Sequence, residues 1–134
     1  KGIYLMPNKI IAVDFDGTIV AHAYPEIGRD NPNAIRVLTK LIEQGTQLIL
    51  WTMRSGKELQ EAVDYCTQNG IVFWGINENP AQKEWTDSPK AYAPIYIDDA
   101  ALGCPVIFDK GTNRNMVNWR DVEAILIRRG VLIH

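Results

Sequence analysis

The chain has 134 residues, 46% hydrophobic and 22% charged, which suits one compact domain of ordinary globular composition. A net charge of −2 speaks against a nonspecific nucleic-acid or anionic-membrane surface, and no apolar stretch approaches the ~20 residues that cross a bilayer. Cys66 and Cys104 are too few for a disulfide framework and suit a reduced, cytoplasmic setting; the start, Lys1 to Pro7, has no signal-peptide apolar core.

Ile10 to Val13 is the first predicted element, a buried strand. It delivers Asp14 and Asp16 to its carboxyl end, where ligands bind in open α/β sheets. In extended geometry the two aspartates flank Phe15 and share a face, and they repel unless a cation or a shared proton relieves them. A turn-rich stretch, Ala21 to Asn33, follows. Asn33 to Ile42 has apolar residues at helical spacing and Gly45 as its stop. Gln47 to Thr52 reads as a second buried strand. Ser55 is placed to cap a helix from Gly56 to about Asn69, ended by Gly70. Ile71 to Trp74 reads as a third strand, and Asn77 to Pro89 as a polar loop. Ala93 to Asp99 and Pro105 to Phe108 are the fourth and fifth strands. Trp119 to Arg129, capped by Asn118, is a closing helix. This alternation predicts an α/β domain with a parallel sheet and helices on both faces.

Asp14-Phe15-Asp16-Gly17-Thr18 resembles the first motif of the haloacid dehalogenase (HAD) superfamily, most of whose members are phosphatases. Three later segments fall in the matching order, and the resemblance covers roughly Lys9 to Phe108. It implies a three-layer, Rossmann-like, five-stranded parallel sheet of order 5-4-1-2-3. The gaps that hold a cap domain in many members are short here, so residues 1–134 read as a single capless hydrolase domain. Ala21 to Arg29 would be a small flap, with His22, Tyr24 and Glu26 as substrate contacts.

The resemblance also implies roles. Asp14 would be the nucleophile, forming an aspartyl-phosphate. Asp16 would be the general acid and base, and its presence favours phosphate over halide chemistry. Thr52 would bond a phosphoryl oxygen, and Arg54 would either reach an anionic substrate group or stay solvated. Lys90 would neutralise phosphate charge, with Lys83 as its rival. Asp98-Asp99 would complete a Mg²⁺ site with Asp14 and the backbone carbonyl of Asp16. Asp99 is the expected direct ligand, and Asp98 would hold Lys90 or a metal-bound water.

Together these imply a Mg²⁺-dependent phosphomonoester hydrolase acting on a small metabolite. A nucleic-acid 3′-phosphatase and a noncatalytic phosphate-binding module are the alternatives. An open site also suggests a homo-oligomer covering it, with Trp85 as the candidate contact. Trp51 and Phe73 are expected to pack in the core.

Overall fold

The computed structural model describes residues 9–134; the opening segment, read above as lacking a signal-peptide core, lies outside them. The elements are β1 (Ile10–Val13), α1 (Ala34–Glu43), β2 (Gln47–Leu50), α2 (Gly56–Gln68), β3 (Gly75–Ile76), a 3-10 turn (Gln82–Glu84), β4 (Ile95–Ile97), β5 (Val106–Asp109), β6 (Arg114–Val117) and α3 (Trp119–Arg128). Among the described residues no helix is long and apolar enough to cross a membrane.

The parallel sheet has four strands, in the order β3-β2-β1-β4. β1 is central, pairing with β2 (Ala12 opposite Ile49) and with β4 (Ala12 opposite Tyr96). This keeps the expected order of those four and corrects the strand count. The expected fifth strand turns back on itself instead. β5 pairs antiparallel with β6, which the sequence reading missed, in a separate two-stranded ribbon. Its apolar run is not buried: Val106, Ile107 and Phe108 are all exposed.

The third strand is also displaced. Ile71 is buried at the end of α2, where its amide bonds the Cys66 carbonyl at 2.9 Å, and the ladder forms only at Gly75 and Ile76. Of this run Ile71 and Phe73 join the core on the helix side, Val72 is exposed, and only the Trp74 amide reaches β2, at the Leu48 carbonyl, 2.8 Å.

Helices on both faces are not found among the described residues. Side chains alternate across a strand, and the main core takes Ile11, Val13, Leu48, Leu50, Ile95 and Ile97 from one face of the sheet. Against them pack Val37, Leu38 and Leu41 of α1, Ala62 and Cys66 of α2, and Val122 and Leu126 of α3. The other face carries a smaller cluster, Ala12, Ile49 and Ala93 with Ile10, Trp51, Trp74 and Tyr96 at its margin, and no helical residue joins it. The fold thus has two layers, helices on one side of a sheet, rather than three. Trp51 and Phe73 pack as expected, though Trp51 belongs to the helix-free side.

Helix ends follow the sequence closely. The Asn118 side chain accepts from the Asp121 amide, capping α3. Ser55 occupies the cap position of α2 in an extended conformation, but its hydroxyl makes no capping bond.

Candidate active site

The site grows from the carboxyl end of β1. The Asp14 amide donates to the Ile97 carbonyl at 2.9 Å, which carries the β1–β4 pairing one residue further. Phe15 is fully buried, its ring edge-on to Tyr65 of α2. The chain then turns through Gly17 at φ +76, where a Cβ would lie 2.1 Å from His22 Nε2 and 2.7 Å from Asp99 Oδ2. Only glycine fits that turn. The next carbonyl, of Thr18, is pinned by two buried donors, Trp119 Nε1 at 2.7 Å and Asn31 Nδ2 at 2.8 Å.

Three carboxylates meet here. Asp14, Asp98 and Asp99 each offer an oxygen, all within 4.8 Å of one another. The Thr18 hydroxyl donates to Asp14 Oδ2 at 2.9 Å, lies 3.4 Å from Asp99 Oδ1, and accepts the Asp99 amide at 3.2 Å. His22 Nε2 stands 3.0 Å from Asp99 Oδ2, while Asp98 Oδ1 accepts the Ala100 amide at 2.8 Å. Burial first, and then the neighbouring Asp98 charge, push the Asp14 carboxyl up to about 8. Burial also raises Asp98. Crowded carboxylates of this kind are short of positive charge. Hard oxygen donors at such spacing suit Mg²⁺, so the residues fit the metal that the resemblance implies.

Asp16 does not join that cluster through its side chain. Its carboxylate turns to Arg54, which forks onto it through Nε and Nη2, both at 2.8 Å. Nη2 also donates to the Glu26 carbonyl at 2.7 Å, and Nη1 to the carbonyls of Pro25 and Glu58 at 3.0 and 3.2 Å. All five guanidinium N–H groups are therefore spent. The guanidinium also lies 5.1 Å from the ring centroids of both Phe15 and Tyr24. Arg54 is 2% exposed. It is thus neither solvated nor free for an anionic substrate group, which corrects both sequence expectations for it.

Thr52 stands at the tip of β2. Its amide donates to Asn77 Oδ1 at 2.8 Å, and its hydroxyl oxygen accepts the Arg54 amide at 3.1 Å. Thr52 lines an open cleft of about 330 Å³ with Asp14, Trp51, Met53, Asn77 and Asp98.

Neither candidate lysine lines that cleft. Lys90 is exposed, with its ammonium 5.8 Å from the centre of the Tyr96 ring. Tyr96 precedes Asp98 by two residues, so Lys90 stands on the Asp98 side of β4, yet it forms no ion pair with the cluster. Lys83 lines a separate hollow in the 78–91 segment.

The flap is a closed loop. The Ala21 amide bonds the Arg29 carbonyl at 2.9 Å, and Val20 bridges Asp30 antiparallel. Gly28 is needed for this closure, since a Cβ there would meet the Ala21 carbonyl oxygen at 1.9 Å. Arg29 pairs with Asp109 of β5 and holds that carboxyl down at about 2. His22 reaches the acid cluster, Tyr24 covers Arg54, and Glu26 contributes its backbone carbonyl while its side chain is exposed. Trp85 is 65% exposed and packs edge-on against Tyr92.

Three contributors escaped the sequence reading: Thr18 as the hydroxyl between Asp14 and Asp99, Asn77 as the partner of Thr52, and Arg54 as the clamp on Asp16. Thr18 directly follows the Asp-Phe-Asp-Gly run, so proximity was its signal. Asn77 had a weaker one, being a residue type that tolerates the left-handed backbone it adopts, φ 55.

No family model and no curated protein matches the chain. Among solved structures, a conserved protein coded by a locus from Bacteroides thetaiotaomicron is similar, with 33% sequence identity, a TM-score of 0.75, and coverage of 90% of each chain.

Proposed function

Because this chain belongs to the family of the Bacteroides thetaiotaomicron conserved protein, whose description carries no activity, we propose its function from the chemistry of the site: a Mg²⁺-dependent phosphomonoester hydrolase of the HAD type. One observation carries this reading, the meeting of Asp14, Asp98 and Asp99 at the carboxyl edge of a parallel sheet. Bound against these carboxylates and the Asp16 carbonyl, Mg²⁺ would offset their charge and let a phosphate dianion approach.

The residues then divide the work. An Asp14 oxygen attacks phosphorus, and the bond from phosphorus to the substrate oxygen breaks. Asp16 gives that oxygen a proton, so the leaving group departs as an alcohol. Asp16 then takes a proton from the water that attacks the phosphoaspartate, which releases inorganic phosphate and restores Asp14. Thr18 orients Asp14 through its 2.9 Å bond. The Thr52 hydroxyl hydrogen, which finds no acceptor among the described residues, serves a phosphoryl oxygen. Lys90 adds charge after swinging from Tyr96. Since both Asp16 oxygens accept from Arg54 and the carboxylate is therefore ionised, its role as acid calls for release of one oxygen and uptake of a proton from water there before the substrate bond breaks.

A small phosphorylated metabolite is the proposed substrate class, because a cleft whose lining has two carboxylates and no basic residue repels a polyanion and so disfavours a nucleic-acid 3′-phosphatase. A phosphate-binding module without turnover is the second reading, and the full engagement of Asp16 by Arg54 is the observation that favours it.

Inorganic phosphate release from a generic phosphomonoester tests the proposal. Turnover is expected with Mg²⁺ and not with excess chelator, and Asp14→Asn is expected to lose both turnover and phosphoenzyme. Release that persists in chelator or in Asp14→Asn would remove the mechanism. Phosphate binding without any release would select the module.

A further inference from the structure

We infer that the cleft takes phosphomonoesters whose leaving group is uncharged and presents a flat, apolar face. This deepens the phosphohydrolase reading and rests on it.

The first line of argument is charge. The cleft walls, Asp14, Trp51, Thr52, Met53, Asn77 and Asp98, include two carboxylates and no cation. The buried cation nearby, Arg54, has every donor committed to Asp16 and to three backbone carbonyls. His22 is bound to Asp99. Lys90 stands on the Asp98 side and is needed by the phosphoryl group itself. Lys83 belongs to the separate hollow. A carboxylate or second phosphate on the substrate would therefore meet no counter-charge and would face Asp98, an unfavourable juxtaposition of like charges.

The second line is the wall itself. Trp51, partly buried on the helix-free face of the sheet, lines the cleft and brings a large flat indole to that side of it. Two residues on, Met53 is 98% exposed at the rim, where a flexible thioether adapts to whatever apolar group enters. The one remaining polar group is neutral and oriented. Asn77 Oδ1 is taken by the Thr52 amide, so the free end of its carboxamide is Nδ2, a donor with no partner among the described residues. An apolar wall with one or two placed neutral polar groups is the usual make-up of a small-molecule site.

The test compares three primary alkyl phosphates of similar leaving-group basicity on the full chain with Mg²⁺: 2-phenylethyl phosphate, glycerol 3-phosphate and 2-phosphoglycolate. The expected kcat/KM is highest for the phenylethyl ester, exceeding phosphoglycolate by about tenfold or more. Met53→Lys, at an exposed position that does not threaten folding, is expected to raise kcat/KM for phosphoglycolate and lower it for the phenylethyl ester. Equal or better use of phosphoglycolate by the unmodified protein would overturn the inference while leaving the phosphohydrolase reading intact. Failure to turn over all three, and p-nitrophenyl phosphate as well, would remove that reading and this inference with it.

Discussion

Arg54 shows how much of a site one side chain can organise. Its planar fork satisfies five acceptors from the turn after β1, the flap and α2, a geometry that a lysine ammonium cannot copy. Arg54→Lys is therefore expected to keep the charge, leave carbonyls unpaired, and cost about 2 kcal/mol in denaturant unfolding. An unchanged midpoint would show that the clamp contributes nothing to stability. The same reasoning with opposite sign applies to Thr46, whose hydroxyl is buried without a hydrogen-bond partner among the described residues. Thr46→Val is expected to stabilise the fold by up to about 1 kcal/mol, read from the same unfolding curves. These cases mark what the sequence could and could not reveal. Asp14, Thr52, Asp98 and Asp99 were legible as strand-end residues because apolar runs point at them. The partners of Arg54 were not, since they sit 29 and 28 residues away in a loop that no periodicity describes.

Among elements, α1 and α3 are joined by one acid. Glu123 of α3 receives both Arg36 nitrogens at 2.9 and 2.8 Å and Lys40 at 3.1 Å. The Arg36 bonds, ahead of the Lys40 one, lower its carboxyl from 4.5 to about 2. A depressed acid stabilises the fold above its unfolded value, so this contribution is intact at neutral pH and disappears as pH falls from about 4.5 towards 2. Arg36 is half exposed and solvent screens the pair, so the effect is on the order of 1 kcal/mol. Urea midpoints at pH 7 and pH 3 should differ less in Glu123→Gln than in the unmodified chain; equal differences would refute the linkage. The elements that sequence reading misplaced share a cause. Ile71 to Trp74 and Pro105 to Phe108 are short apolar runs, and such a run does not name its partner. One was taken by the end of α2. The other found β6 through a turn at 109–113, where Asp109 Oδ2 accepts the Thr112 amide at 3.1 Å and Asn113 takes φ 58.

For the whole molecule, the acid cluster ties stability to pH and, under the proposed function, to Mg²⁺. A carboxyl raised to about 8, as Asp14 is, favours the folded state in its protonated form. Its contribution is complete below the ordinary aspartate value of 3.8 and is lost as pH rises through about 8. In chelator the thermal midpoint should therefore fall between pH 5 and pH 9, and Mg²⁺ should raise it more at the alkaline end. A Mg²⁺ effect that is flat across that range would count against the cluster as a cation site. The alternation of runs showed the α/β class, while the order of the four paired strands came only from the resemblance; the one-sided layering was not legible, since nothing in the alternation says that the 77–93 segment crosses without an α-helix. The flap carries a last consequence. Its hold on Arg54 runs through the carbonyls of Pro25 and Glu26, and its closure through the backbone of Ala21 and Arg29. Main-chain anchoring of this kind is indifferent to the side chains at 23 and 26, both of them exposed. Those two positions can therefore drift between descendants of one ancestor without loosening the loop, a stretch of chain whose shape is inherited while its surface is left open to change.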